Sequence, residues 1–84
     1  MIYNTSLRIL TDDKGKQYKL SKLYHRFLIC LSLGDVVAYD EAVEQLGTYT
    51  SIHKLKYDFC KRVPIKIRTI REVGFILDSD IYFY

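Results

Sequence analysis

At 84 residues the chain is long enough for one compact core and too short for two, so residues 1–84 are expected to form a single domain. Hydrophobic residues make up 49% of it and charged residues 27%, with one proline and four glycines, which excludes a disordered or low-complexity chain. The net charge of +3 is too mild to indicate a nucleic-acid partner by itself, but it is unevenly spread.

Leu7-Arg8-Ile9-Leu10 and Tyr18-Lys19-Leu20 alternate around the turn-rich Asp12-Asp13-Lys14-Gly15-Lys16, which predicts an opening β-hairpin. Ser21 can cap a helix whose apolar residues Leu23, Tyr24, Phe27, Leu28 and Leu31 recur at three- and four-residue spacing, with Gly34 as its stop. Val36-Val37 reads as an extended link. Asp40 to Gly47, acidic at its start and closed by glycine, predicts a short second helix with Ala42, Val43 and Leu46 facing inward. After the turn Gly47-Thr48-Tyr49, Thr50 or Ser51 can cap a third helix. Its inward stripe is Ile52, Lys56, Phe59 and Val63, with Leu55 beside it, and its other face is polar and largely basic.

Pro64 ends that helix because it has no N–H and turns Val63 away from helical geometry. Ile65 to Ile70 then alternates with period two, Arg71-Glu72-Val73-Gly74 turns the chain, and Phe75-Ile76-Leu77 returns, which predicts a second hairpin. Ile81-Tyr82-Phe83-Tyr84 either adds an edge strand or covers the core. There is no internal repeat and no linker. The order is thus hairpin, three helices, hairpin: an α+β chain in which a short helix precedes a longer one with a basic outer face, the layout of a winged helix-turn-helix.

Several functions find no support in the sequence. The longest apolar stretch, Phe27 to Leu33, is interrupted by Ser32 and falls far short of the roughly 20 residues that cross a bilayer. No basic segment followed by an apolar run opens the chain, so no signal peptide is read, and a cytoplasmic location is the expectation. Cys30 and Cys60 lie in helix-like patterns with no CxxC or Cys/His cluster; both are expected to be reduced, Cys30 as a small buried hydrophobe, with no metal site and no cofactor. His25 and His53 are the only histidines, no triad-like context surrounds a serine or cysteine, and no glycine loop is built for phosphate, so no catalytic activity is expected. Asp12-Asp13 and Asp78/Asp80 read as solvated turn acids.

The charge distribution is more specific. Between Lys54 and Arg71 the bases Lys54, Lys56, Lys61, Arg62, Lys66, Arg68 and Arg71 are opposed by Asp58 alone. Asp35, Asp40, Glu41 and Glu44 stand in a stretch with no base, so the positive surface belongs to the C-terminal half.

Three further segments carry a family resemblance. Gly34-Asp35-Val36-Val37-Ala38-Tyr39-Asp40-Glu41-Ala42-Val43-Glu44-Gln45-Leu46 precedes the helix Ile52 to Val63, which contains Phe59-Cys60-Lys61-Arg62-Val63, and Ile67-Arg68-Thr69-Ile70-Arg71-Glu72-Val73-Gly74-Phe75 follows. Together with Leu20-Ser21 they resemble, nearly end to end, the winged-helix DNA-binding domain of OmpR/PhoB-type transcriptional regulators. The last string is similar to the family's wing, typically Ile-Arg-Thr-Val-Arg-Gly-Val-Gly-Tyr. No phosphoacceptor receiver domain precedes the module, so the expectation is a stand-alone effector. The loop before the third helix is shorter than the family's, which often contacts RNA polymerase.

The resemblance implies a sequence-selective regulator that binds double-stranded DNA, its third helix in the major groove and its wing in the minor groove. The basic face of that helix offers Lys54, Tyr57, Lys61 and Arg62 for phosphates and base edges, with Lys56 ranked below them because both the stripe and the resemblance turn it inward. His53 either meets a phosphate or base or stands idle on the surface. Arg71 at the wing tip suits a narrow minor groove, and Thr69, at the family's position, a phosphate hydrogen bond. Asp58 on the same helix and Glu72 in place of the wing glycine add negative charge near those groups. Binding as a dimer or in tandem is expected, since one small module offers limited interface. The alternatives are a protein-interaction module that uses the scaffold to bind RNA polymerase or another host protein, and a single-strand binder that stacks bases on aromatic rings such as Tyr82 and Tyr84.

Overall fold

The computed structural model describes residues 1–32, 36–46 and 52–84. Gly34 and the segment from Gly47 to Ser51, which holds the expected turn and the capping Thr50 or Ser51, lie outside them, as do the side chains of Val43 and Leu46.

The opening hairpin forms as the sequence predicts, with β2 (Ile9–Thr11) antiparallel to β3 (Gln17–Lys19). Its turn is held by Asp12, whose carboxylate accepts the backbone N–H groups of Lys14 and Lys16 at 2.9 Å each. Those hydrogen bonds, that of Lys16 foremost, hold the Asp12 carboxyl below its ordinary range. Gly15 adopts a φ of +84°, which a Cβ would strain. Ahead of the hairpin is a strand that the sequence reading did not separate, β1 (Ile2–Asn4), antiparallel to β2 through Tyr3↔Leu10. Tyr3 and Leu10 are fully buried.

Ser21 caps α1 (Lys22–Leu31), its hydroxyl accepting the Tyr24 N–H at 3.2 Å. The stripe of α1 goes inward as expected, with Phe27, Leu28 and Leu31 buried and Leu23 and Tyr24 packed at their margin. Two further helices follow, α2 (Tyr39–Leu46) and α3 (Ile52–Arg62), and the rings of Tyr24 and Phe27 lie 4.8 and 5.9 Å from that of Phe59 on α3. Fully burying an aromatic ring such as Phe27 or Phe59 contributes about 1.5–3 kcal/mol, so this contact helps hold α1 to α3.

Val37–Ala38 is not merely an extended link: it is strand β4, paired with β6 (Gly74–Leu77), which is in turn antiparallel to β5 (Ile67–Ile70). The order of this sheet is β4-β6-β5. Close approach of β4 explains Gly74, where an added Cβ would lie 2.0 Å from the Val37 carbonyl oxygen. The predicted strand from Ile65 starts two residues late, because the Ile65 N–H turns back to the Val63 carbonyl and the Lys66 N–H goes to the Ser79 hydroxyl at 2.8 Å. The turn is also one residue shorter than predicted, Arg71 to Val73, with Glu72 at a φ of +63°.

Tyr82–Phe83 forms β7, parallel to β1, so the first sheet runs β3-β2-β1-β7. Of the two expectations for these aromatics both are met: β7 is an edge strand, and Phe83 on its inner side packs 5.9 Å from the ring of Tyr3. The Tyr3 hydroxyl shares a 2.6 Å hydrogen bond with Nδ1 of His25 on α1, and burial pushes its pKa up to about 12. The described chain is therefore α+β, with three helices, two sheets and one cluster of buried side chains that both sheets contribute to.

Candidate functional site

The third helix exists because its apolar residues fall at helical spacing: Ile52, Leu55 and Phe59 are buried, and Val63 just beyond the helix is too. In place of the predicted Lys56 the core takes Leu55, which is 4% exposed, while Lys56 is only partly covered. An ammonium at that depth would lose hydration with no partner, whereas leucine gains from burial, so the helix settles slightly rotated from the expected stripe.

That rotation fixes the outer face. Lys54, Tyr57 and Lys61, at three-, four- and seven-residue separations, stand together on the side away from the core. Tyr57 is 64% exposed, and the Lys61 ammonium lies 5.9 Å above its ring centroid. Asp58 is half-buried at the edge of this face. Among the described residues none of Lys54, Lys61, Arg62 or Arg71 makes a salt bridge; the one found joins the Met1 amino group to Asp13 at 3.0 Å.

Arg62 does not join this group. It follows Lys61 by one residue, which turns it about 100° around the axis, and it lines a groove of about 350 Å³ with Tyr18, Ser21, Tyr24 and Val63. His53 is exposed as a residue, but its ring is held, 4.9 Å from that of Tyr39 at the start of α2 and 5.5 Å from that of Phe75 in β6.

On the second hairpin Arg71 is exposed in the turn and Thr69 is exposed on β5. Thr69 pairs with Phe75 and Arg68 with Ile76, so the two project from opposite faces of the hairpin, as their alternation requires. Tyr39 was not among the residues the sequence singled out. Its N–H donates to the carbonyl of Val73, the last residue of the turn carrying Arg71, at 3.3 Å, and its hydroxyl to the carbonyl of Ile70, the last residue of β5, at 3.2 Å. No local signal could have found it, since the partner of its hydroxyl is 31 residues away.

The cysteines are free, and burial pushes both thiols above their ordinary range, which keeps them protonated and poorly nucleophilic. Among the described residues no group of three His, Cys, Asp or Glu side chains is placed to hold a metal, and no helix is long and apolar enough to cross a membrane. What the C-terminal half offers, on a helix and an adjoining hairpin, is cationic and hydrogen-bonding groups that, among the described residues, form no salt bridge, with Asp58 and Glu72 as the acids nearest them. Such a surface suits a polyanion. Comparison of the chain with family models, with curated proteins and with solved structures finds no match in any of the three.

Proposed function

We propose that this chain is a winged-helix domain of the OmpR/PhoB type that binds double-stranded DNA as a sequence-selective transcriptional regulator in the cytoplasm, without a catalytic step of its own. In this reading α3 enters the major groove through Lys54, Tyr57 and Lys61, and the β5–β6 turn presents Arg71 to the adjacent minor groove. The observation that carries it is the outer face of α3, where two ammonium groups flank an exposed phenol and, among the described residues, neither makes a salt bridge. In this reading Thr69 takes a phosphate, and engagement as a dimer or in tandem supplies the interface that one module lacks. Arg62, about 100° around the helix axis from Lys61 and beside a separate groove, is left out of this contact set.

The test is a mobility shift on duplex DNA selected from a random pool, repeated across salt concentrations. Binding should weaken steeply as salt rises, and Arg71→Ala should weaken it further. No duplex binding at low salt would sink the reading.

A second reading, a protein-interaction module that binds RNA polymerase or another host protein, is favoured by the edge of the first sheet. There Tyr82 and Tyr84 are 69% and 55% exposed with their rings 6.3 Å apart, beside Ile2 on β1.

A further inference from the structure

The geometry points to Tyr39 as a positioning residue that fixes the β5–β6 turn relative to α3, so that helix and hairpin meet a duplex as one rigid surface. This rests on the DNA-binding reading above and concerns how that site is held. Four contacts of one residue converge there. From the start of α2, the Tyr39 N–H reaches the Val73 carbonyl and its hydroxyl reaches the Ile70 carbonyl. Its ring lies 4.9 Å from that of His53, in the first turn of α3, and 5.1 Å from that of Phe75, edge to face. Through its backbone N–H and its hydroxyl, one residue is thus bonded to both sides of Arg71, and its ring is packed against the helix that carries Lys54, Tyr57 and Lys61.

The tether is additional to what closes the turn. The Ile70 carbonyl also accepts the Val73 N–H at 3.0 Å, so the turn keeps its own hydrogen bond when the Tyr39 hydroxyl is removed. Beside it, β4 is already pressed onto the turn end of β6 through Val37↔Phe75 and Ala38↔Gly74. The hydroxyl carries that attachment across to β5, at Ile70 opposite Gly74. The consequence lies in binding. Two elements that must occupy two grooves at once lose freedom when they bind, and an element already held in place loses less. Arg71 should therefore contribute fully only while Tyr39 holds the turn.

Tyr39→Phe keeps the ring and the backbone donor and removes the tether alone. Its duplex affinity should fall about fivefold, the factor one ordinary hydrogen bond carries. Arg71→Ala should then cost at least about twofold less in the Tyr39→Phe background than in the wild type, a coupling that a purely structural loss would not produce at temperatures where both proteins are folded. Amide exchange at Val73 and Tyr39 should quicken in Tyr39→Phe while that of Phe59 stays unchanged. Wild-type binding with losses that simply multiply, or unchanged exchange at Val73, overturns this inference alone. Absence of duplex binding by the wild-type chain overturns the DNA-binding reading and the inference with it.

Discussion

The two sheets are built alike and finished differently. Each puts aromatic side chains into the shared core, Tyr3 and Phe83 from the β3-β2-β1-β7 sheet and Phe75 from the β4-β6-β5 sheet. Outside, the β1–β7 edge of the first sheet carries Ile2, Tyr82 and Tyr84, without a charge among them although the β2–β3 hairpin exposes Lys14, Lys16 and Lys19, whereas the hairpin of the second ends in Arg71 beside the cationic face of α3. Burial made the two halves cohere, and it placed few demands on what they expose. The contrast in surface chemistry is therefore where function is to be sought: a phosphate-bearing partner is attracted to the cationic face of the second region and gains nothing electrostatically from the aromatic edge of the first.

The largest perturbation should come from the backbone of the second region. Gly74→Ala forces a methyl group against the Val37 carbonyl at 2.0 Å, a contact that only separation of β4 from β6 relieves. We expect a loss of about 3 kcal/mol or more in chemical denaturation, within the range for severe packing and backbone strain. A loss under about 1 kcal/mol would mean that β4 is not pressed onto β6 as described.

Next in size is a paired substitution that addresses the contrast itself. Lys61→Ala should cost about 1–3 kcal/mol of duplex binding if it reads a base, or lower the salt slope by about one if it meets a phosphate. Tyr82→Ser should leave duplex binding unchanged. Equal losses from both would break the division of labour between the sheets, and a loss from Tyr82→Ser alone on unpaired DNA would favour base stacking on the first sheet.

The smallest effect concerns Glu72, which sits at a φ of +63° beside Arg71. A left-handed conformation costs a non-glycine residue about 1 kcal/mol, partly offset because glycine loses more entropy on folding. Glu72→Gly should thus raise stability by less than about 1 kcal/mol in thermal unfolding, and it should tighten duplex binding by removing a carboxylate next to Arg71. Weaker duplex binding in this variant would show that the carboxylate serves recognition.

What could be read from the sequence was what neighbours in the chain decide. The Ser21 cap, the stripe of Phe27, Leu28 and Leu31, the Asp12 turn and the alternation of β5 and β6 all rest on residues within a few positions of one another. The pairing of β1 with β7, the conversion of Val37–Ala38 into a strand and the role of Tyr39 join positions far apart, and no periodicity announces them. At the candidate site, Lys54, Tyr57 and Lys61 were legible because helical spacing alone sets their common face. Arg62 was grouped with them by charge although its angle on the helix parts it from Lys61, and Lys56 was assigned inward where Leu55 competes better for the core.

The parallel pairing of β1 with β7 also sets a clock. The carbonyl of Tyr84 accepts the N–H and hydroxyl of Thr5, groups 79 residues apart, and Phe83 covers the ring of Tyr3. At a synthesis rate of about 5–20 residues per second, the nascent chain waits some 4–16 seconds between making β1 and making the strand that completes its sheet. Closing so long a loop is slow as well as late. Tyr3, on an inner strand of that sheet, is thus made some seconds before the strand whose Phe83 covers its ring.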